Sequence, residues 1–560
     1  MSTLCESEFS QVHCAVGNAL KRIFNAVVDR NMFNTQQDYL LVKKMVQELN
    51  NLLQLKYQLS WIYILDVIRN LFDLFRNIRV DQSHEIVIPL ISRLADVYQS
   101  IEMNVIEVSP EIHISFGDAI GSAIKFSGLS RFLKTVPIHS TNGVIDDREW
   151  IFNLLHKHLK LIPCHLVEFG NTILPLIGKC NLAIKATSPS FSPSQVKLVH
   201  TRMMQLWSLL PDFFQHSIPA DIGPCFPKLA IIMEEIFNEE VYCDIVPHVV
   251  VTLHLLAKEV VGQPQQLAAV SPYCGTFLPL LLKTVETMDI GDPRFPSAVE
   301  CIGSWAKIST PTLVTAISKK LLQLLLTAGD GNAVWMSVML VVIPYLSDSL
   351  IVLLFKTVRP LLSLSEREEA LSLQKRAYQV LDSLLTTHPE VLHRFESRFD
   401  ILQLVSESLL TCHVSSRNMR FRCIETLMAG MSDEEVNLTA ELILGEVLIC
   451  QKDSNKKSRD GAINIMRIIV NRIDPNELVM KLCSALVAET SLMRSAAVTG
   501  FCLLLLEKRD NEEVVDQCRQ LIPSVCLLLQ EETADQSKAV KFTFHMINKY
   551  IHKYIHAYIQ

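Results

Sequence analysis

The sequence predicts an all-α protein in which amphipathic helices stack in pairs. Between residues 363 and 470, apolar residues return at helical spacing, in segments of about 12 to 18 residues joined by short polar turns. A single helix of this kind cannot bury its apolar stripe alone, so the helices must pack on one another. The pair recurs at roughly forty residues, which is typical of HEAT and armadillo repeats. We therefore predict a helical-repeat superhelix, an α-solenoid.

The composition supports a long array of buried helices. The chain has 560 residues, of which 49% are hydrophobic and 20% are charged, and its mean hydropathy is +0.25. No change of composition separates one part of the chain from another. The 15 cysteines are scattered through apolar helical positions, where a free thiol in a reducing compartment behaves as a small core residue.

The sequence of the N-terminal part predicts a series of helices with one interruption. The segment 111–125 is short and carries Gly117 and Gly121, and we expect a close-packed or loosely formed pair of turns there. After a polar loop, Asp146 and Asp147 are expected to cap a helix that starts near Trp150. The other predicted helices in this part of the chain are 8–29, 35–55, 61–78, 84–100, 150–161, 165–180 and 196–209.

Two loops divide the predicted array into three segments. A Ser/Pro-rich loop at 186–195 separates N-terminal helical repeats in residues 1–185 from further repeats in residues 196–261. A second break precedes C-terminal HEAT-like repeats in residues 273–560. Both loops are short, so we expect one continuous solenoid.

The most apolar stretch, residues 333–355, does not read as a membrane span. Pro344, Ser347, Asp348 and Ser349 split it into two apolar pieces that are each shorter than a bilayer requires. We predict two buried helices around a turn and no membrane partner.

No motif in the sequence indicates catalysis or a cofactor. The phosphate-binding patterns GxxxxGK(S/T) and GxGxxG and the nucleophile pattern GxSxG do not occur. Cysteine and histidine fall together at Cys412 and His413, but a second pair at metal-binding spacing is lacking. We therefore predict a protein that is not an enzyme and that uses no cofactor, metal ion or small-molecule substrate.

The remaining functional candidates are two basic clusters at equivalent places in successive repeats. If the repeats stack, these clusters line one edge and could follow a phosphate backbone or an acidic partner. The alternative is that they are ordinary solvated turn residues. A net charge of −7 argues against a surface that coats nucleic acid indiscriminately. The six residues are Arg417, Arg420, Arg422, Lys456, Lys457 and Arg459.

Eight segments, taken in their order along the chain, point to a known family. They are REWIFNLLHKHLK (148–160), EFGNTILPL (168–176), MQLWSLLPDFF (204–214), YCGTFLPLLLKTV (273–285), SLQKRAYQVLDSLL (372–385), SSRNMRFRCIETLM (415–428), LILGEVLICQKDSNKKSRDGAINIM (442–466) and SLMRSAAVTGFCLLLLEKR (491–509). Each segment alone is a helix of common residues, and their order along the chain gives the resemblance its weight. The set resembles the HEAT-repeat ribosomal RNA-processing protein 12 family with its NUC-type helical domain, and this chain looks like a shortened or partial member.

The resemblance implies a non-catalytic scaffold in ribosome biogenesis. Such a protein binds preribosomal particles, contacting pre-rRNA and assembly factors, and aids pre-rRNA processing and the maturation and export of the small subunit. It also implies a location in the nucleolus and nucleus with shuttling to the cytoplasm, and contacts to Ran and the export machinery. The alternative from the same repeat architecture is an importin-like nuclear transport receptor or adaptor.

Overall fold

The structure is a computed structural model, and it describes ten segments of the chain. These are residues 2–78, 82–138, 148–161, 165–185, 193–215, 219–327, 332–363, 368–408, 412–508 and 510–520. Throughout these segments the secondary structure is helical, with turns and short 3-10 segments, and no described residue lies in a strand. The predicted all-α fold of stacked helical repeats is confirmed.

The chain divides into two compact units. Unit 1 comprises Met1–Thr284 and Asp292–Ile308, and unit 2 comprises Val285–Gly291 and Ser309–Gln560. The predicted loop at 186–195 and the predicted break at 262–275 both fall inside unit 1, and a short helix, Pro264–Val270, lies within the second. The continuity of the solenoid through the whole chain stays a prediction.

In unit 1, helices that alternate along the chain pack side by side. Helix α3 packs between α1 and α5, α2 packs on α4, and α13 packs between α11 and α16. The helices are α1 (Ser10–Val27), α2 (Gln36–Asn51), α3 (Trp61–Ile78), α4 (Gln82–Glu102), α5 (Pro110–Ser127), α6 (Leu129–Thr135), α7 (Trp150–Leu159), α8 (Leu166–Glu168), α9 (Leu174–Lys185), α10 (Pro193–Ser208), α11 (Leu210–Gln215), α12 (Pro219–Asn238), α13 (Val246–Val260), α14 (Pro264–Val270), α15 (Cys274–Glu286, whose last two residues belong to unit 2) and α16 (Phe295–Ile308).

Unit 2 shows the same alternation with shorter repeats. Helices α20, α23, α25 and α27 pack next to one another in one layer, and α24 with α25 and α26 with α27 form hairpins. The helices are α17 (Pro311–Thr327), α18 (Asn332–Val342), α19 (Asp348–Val358), α20 (Glu368–Thr387), α21 (Pro389–Phe395), α22 (Arg398–Glu407), α23 (Arg417–Ala429), α24 (Asp433–Cys450), α25 (Lys456–Arg472), α26 (Pro475–Leu486), α27 (Ser491–Glu507) and α28 (Glu512–Gln520).

Polar contacts between neighbouring repeats of unit 2 reveal the predicted period directly. Lys481 Nζ lies 2.9 Å from Glu441 Oε1, 40 residues away, and Arg472 Nε lies 2.7 Å from Asp433 Oδ1, 39 residues away. The spacing in unit 1 varies more: Lys157 bonds Asp118 across 39 residues, and Trp305 donates to the Leu253 carbonyl across 52 residues. The forty-residue repeat is therefore confirmed in unit 2, whereas the repeats of unit 1 differ in length.

Local sequence signals account for many helix ends. Ser432 forms a capping box with Glu435 at the start of α24, in which each side chain accepts from the other residue's backbone N–H. Proline stands in the first turn of α5 and α26, where it removes no helical hydrogen bond. Gly128 separates α5 from α6 with a φ of +72°, a conformation that favours glycine.

The structure corrects one predicted element and leaves another outside the described residues. Residues Pro110–Ser127 form one continuous helix instead of a pair of turns. Gly117 and Gly121 are buried there because α7 packs closely against them: Leu154 and His158 occupy the space that a Cβ would need. Asp146 and Asp147, the predicted caps of α7, lie outside the described residues.

The apolar stretch 333–355 forms two helices around a turn, as predicted. Helix α18 ends at Val342, a 3-10 turn follows at Ile343–Tyr345, and α19 begins at Asp348. Many of their apolar side chains are buried, among them Trp335, Met336 and Ile351. Within the described ranges, no helix has the length and apolar character needed to span a bilayer.

Candidate partner-binding edge

The two predicted basic clusters lie at the first turns of α23 and α25, which are neighbours in one layer of unit 2. Helix α23 begins at Arg417 and α25 begins at Lys456, and each first turn contains no acidic residue. We call the first turns of α23, α25 and α27, with the turn 451–455, the basic edge. Because the helices are neighbours and run in the same direction along the repeats, their positive N-terminal ends lie side by side.

Asp453 joins the two clusters. Its carboxylate accepts from Arg417 Nη1, 36 residues earlier in the chain, and its backbone carbonyl accepts from Arg459 Nη1 at 2.6 Å. Burial opposes the charged form, but hydrogen bonds from the Asn455 backbone and from Arg417 outweigh it and lower the pKa of Asp453. The structure thus brings Arg417 and Arg459 to one place, where both hold the turn before α25.

Arg420 is not available to a partner. Its side chain is 0% exposed, and its guanidinium donates to the Val405 carbonyl at 2.8 Å and to the Ser406 carbonyl at 3.4 Å. It also pairs with the carboxylate of Glu446, whose side chain is 5% exposed. Burial disfavours the charged form of Arg420, yet its hydrogen bond to Glu446 raises its pKa. The prediction of a contact residue at this position is therefore wrong, because a buried ion pair uses the whole group.

Arg422 has an intermediate role. Its Nη2 lies 2.9 Å from Asp382 Oδ2 on α20, and its side chain is 59% exposed. Burial raises the pKa of Asp382, although the charge of Arg422 opposes that shift. Arg422 thus neutralises a buried carboxylate on the neighbouring helix while it faces solvent.

Lys456 and Lys457 are exposed and, unlike Arg422, form no ion pair with a described residue. Both are exposed at the start of α25, where the Asn455 side chain accepts from the Lys457 backbone N–H at 2.9 Å. No described residue accepts a hydrogen bond from either ammonium group. Two cations beside the positive end of a helix repel that end, so an anion placed there is favoured. We call Lys456 and Lys457 the lysine pair.

A recurring arginine explains why charge alone was misleading. Arg420, Arg459 and Arg494 each stand four residues after the N-cap residue of their helix and donate to backbone carbonyls that precede the helix. Arg494 donates to the Ala488 and Glu489 carbonyls, both at 2.8 Å. The sequence analysis did not single out Arg494. The signal that could have found it is an arginine four residues after the N-cap in α23, α25 and α27 alike.

One arrangement in unit 1 has the residue types of a hydrolase but not the hydrogen bonding. His156 Nδ1 is paired with Asp212, and His156 Nε2 lies 3.0 Å from Ser208 Oγ. The Ser208 hydroxyl donates to the Gln205 carbonyl at 2.7 Å, so its proton is not directed at the imidazole. These groups tie α7 to α10 and α11. Nowhere in the described segments do three His, Cys, Asp or Glu side chains come together as a metal ion would require.

Taken together, the stacked helix pairs of both units define a HEAT-type helical-repeat protein. Solved structures of the karyopherin Kap121p share this fold. The structure of Kap121p superposes with a TM-score of 0.52 at 12% identity, covering 97% of this chain and 57% of Kap121p. Kap121p bound to RanGTP gives a TM-score of 0.54 at 13% identity with the same coverage, and Kap121p bound to Nup53p gives 0.53 at 11%, covering 95% and 57%. The chain thus spans 57% of the length of these karyopherin structures.

Part of unit 1 matches a known family by sequence. Residues 6–273 match the family model described as Ribosomal RNA-processing protein 12, HEAT repeats. This part of the chain is thus similar to the HEAT repeats of that family. The resemblance predicted from 148–160, 168–176 and 204–214 is confirmed, and the segments beyond residue 273 lie outside the match. A comparison with curated protein sequences finds no match.

Proposed function

We propose that this protein is a non-catalytic scaffold in ribosome biogenesis that binds preribosomal particles. The observation that carries the proposal is the match of residues 6–273 to the HEAT repeats of a ribosomal RNA-processing protein. The scaffold contacts pre-rRNA and assembly factors, aids pre-rRNA processing, and takes part in maturation and export of the small subunit. It resides in the nucleolus and nucleus and shuttles to the cytoplasm.

In this proposal the lysine pair provides the contact to the RNA backbone. Phosphate contacts need exposed cations and supply affinity without reading the base sequence. Lys456 and Lys457 meet this requirement. Arg417, Arg422 and Arg459 hold their neighbours in place and add positive potential to the same edge.

An importin-like transport receptor or adaptor is the second candidate. The observation that favours it is the shared fold with Kap121p, one structure of which is described as bound to RanGTP. At 13% identity this likeness concerns the fold alone. A transport receptor would contact Ran and the export machinery. A scaffold that takes part in export of the small subunit would contact them as well.

Purification of the tagged chain from cells at moderate salt, followed by sequencing of the accompanying RNA, separates the two candidates. The scaffold should bring down small-subunit precursor rRNA with nucleolar assembly factors. A receptor should bring down Ran and cargo proteins, without precursor rRNA. The second result would refute the scaffold proposal.

The site is tested by reversing the charge of the lysine pair. Lys456→Glu with Lys457→Glu should weaken RNA binding. The negative slope of log K against log salt should become shallower by about 2, one unit for each lost phosphate contact. The matched control is Lys319→Glu with Lys320→Glu, because these lysines are also adjacent and exposed but lie in the middle of α17. Equal effects of both variants would contradict the assignment, since they would report only the net charge.

A further inference from the structure

A second surface of unit 1 carries exposed apolar side chains on three neighbouring turns. The turns directly precede α1, α3 and α5, helices that pack side by side with α3 in the middle. The turns therefore lie along one edge of the unit, which we call the apolar edge. Each turn exposes a pair of large apolar side chains: Leu4 and Phe9, Leu55 and Leu59, and Met103 and Val105.

The exposure of these side chains is unusually high. Phe9 is 73% exposed, Leu59 is 69% exposed and Val105 is 74% exposed. Single exposed apolar residues are common on soluble proteins. Three consecutive turns that each expose such a pair form a contiguous patch, and patches of this kind mark binding surfaces.

Hydrogen bonds hold the three turns together as one surface. Lys56 Nζ lies 2.8 Å from Glu6 Oε1, which joins the middle turn to the first. Gln58 Nε2 donates to the Glu107 carbonyl at 2.5 Å, which joins the middle turn to the third. Both hydrogen bonds start from residues that lie between Leu55 and Leu59 in the chain, so the three turns are held in a fixed arrangement around this pair.

The patch continues into an apolar groove. The groove has a volume of about 370 Å³ and lies between the 3-10 segment Ser2–Glu6 and α1. Five of its six lining residues are apolar: Leu4, Val12, Ala15, Val16 and Ala19, with Gln11 as the sixth. This space accepts one bulky apolar side chain of a partner.

The charges around the patch select the kind of partner. Glu8 and Glu107 are exposed beside it, as is Glu111, whose pKa is lowered by hydrogen bonds from its own backbone N–H and from Ser109. Lys56 is the one lysine of these three turns, and it is paired with Glu6. The apolar edge therefore has an acidic border, which attracts cationic polypeptides and repels nucleic acid.

We propose that the apolar edge binds a polypeptide segment in which bulky apolar side chains alternate with lysine or arginine. One apolar side chain enters the groove beside Leu4. The others cover Leu55, Leu59 and Val105, while the basic side chains face Glu8 and Glu107. This binding site is separate from the basic edge of unit 2 and does not depend on the ribosome-biogenesis proposal.

Fluorescence anisotropy on the full chain tests the proposal, with a labelled amphipathic peptide of leucine and lysine as the probe. Leu59→Asp with Val105→Asp should weaken binding about tenfold or more, since both residues belong to the proposed contact. The control is Leu438→Asp with Leu442→Asp, because these leucines of α24 in unit 2 are 52% and 50% exposed. Circular dichroism should show unchanged helix content in all variants, as the replaced side chains are exposed.

Matched peptides and charge variants of the protein separate the apolar from the ionic contribution to peptide binding. A peptide with glutamate in place of lysine, or serine in place of leucine, should bind about tenfold more weakly than the probe. Glu8→Lys with Glu107→Lys should weaken binding of the lysine peptide and strengthen binding of the glutamate peptide. Equal binding of the lysine and glutamate peptides would overturn the proposal. So would displacement of the peptide by single-stranded RNA, which would make this edge a nucleic-acid surface.

Discussion

Replacement of Arg420 by methionine should destabilise unit 2 strongly, because it leaves a buried carboxylate without its cation. Methionine fills most of the volume of the arginine stem but offers no donor. The change removes the ion pair to Glu446 and the hydrogen bonds to the Val405 and Ser406 carbonyls. Among the described residues nothing bonds the second carboxylate oxygen of Glu446. That carboxylate therefore depends on Arg420.

The size of the destabilisation depends on which buried groups lose their partner in Arg420→Met. Breaking a buried ion pair by removing one partner costs about 3–5 kcal/mol, and each unsatisfied buried carbonyl costs about 1–3 kcal/mol. Water that enters the new space offsets part of the second cost. We therefore expect the free energy of unfolding of unit 2 to fall by about 3–5 kcal/mol.

Urea unfolding, followed by circular dichroism, and hydrogen exchange of α22 to α24 measure this loss. The matched control is Arg394→Met, because the ion pair of Arg394 with Asp348 spans 3.2 Å with both side chains 70% exposed. This control should cost about 1 kcal/mol or less. Arg420→Met combined with Glu446→Leu should be more stable than Arg420→Met alone, since it removes the unpaired charge. A cost below about 1 kcal/mol for Arg420→Met, or no recovery in the double variant, would refute the reasoning.

Two further predictions concern the contact between α5 and α7. Gly121→Ala should destabilise unit 1 by about 1–3 kcal/mol in thermal melts, because a Cβ at Gly121 overlaps the His158 ring. The control is Gly178→Ala, whose Cβ meets no atom within 4 Å and which should be neutral or slightly stabilising. Burial, with the charges of Lys125 and Lys157, lowers the pKa of His158 from 6.5 to about 4. Between these pH values the unfolded chain binds a proton that the folded chain excludes, so the free energy of unfolding decreases as the pH falls, by ~3 kcal/mol in all. His158→Leu should remove this loss of stability on the acid side. An unchanged pH profile in urea titrations of His158→Leu would contradict this.

The sequence predicts the class of fold because helical periodicity is a local property. Segments such as 61–78 show three-to-four spacing of apolar residues, and α3 has these bounds in the structure. The failure at 111–125 has a physical reason. Gly117 and Gly121 allow close approach of α7, and a packing role of glycine depends on a partner helix that lies about 40 residues further on.

The basic clusters show where sequence reasoning stops. Arg420 and Lys456 are both cations near the start of a helix, and their charge does not distinguish them. Their difference comes from Glu446, Val405 and Ser406, which lie 26, 15 and 14 residues from Arg420 in the chain and close around its guanidinium. Lys456 has no such neighbours. Exposure, and with it suitability for a partner, is thus set by packing between repeats and not by the charge pattern.

The short range of the contacts between repeats has a consequence for synthesis of the chain. Contacts such as Lys481 with Glu441 and Trp305 with Leu253 join residues that are 40 and 52 positions apart. At a translation rate of about 5–20 residues per second, a newly emerged helix waits only about 2–10 s for the neighbour that covers its apolar face. Each repeat therefore closes onto an already ordered predecessor while the ribosome is still elongating the chain. A protein of this design exposes about one unpaired helix face at a time during its own translation.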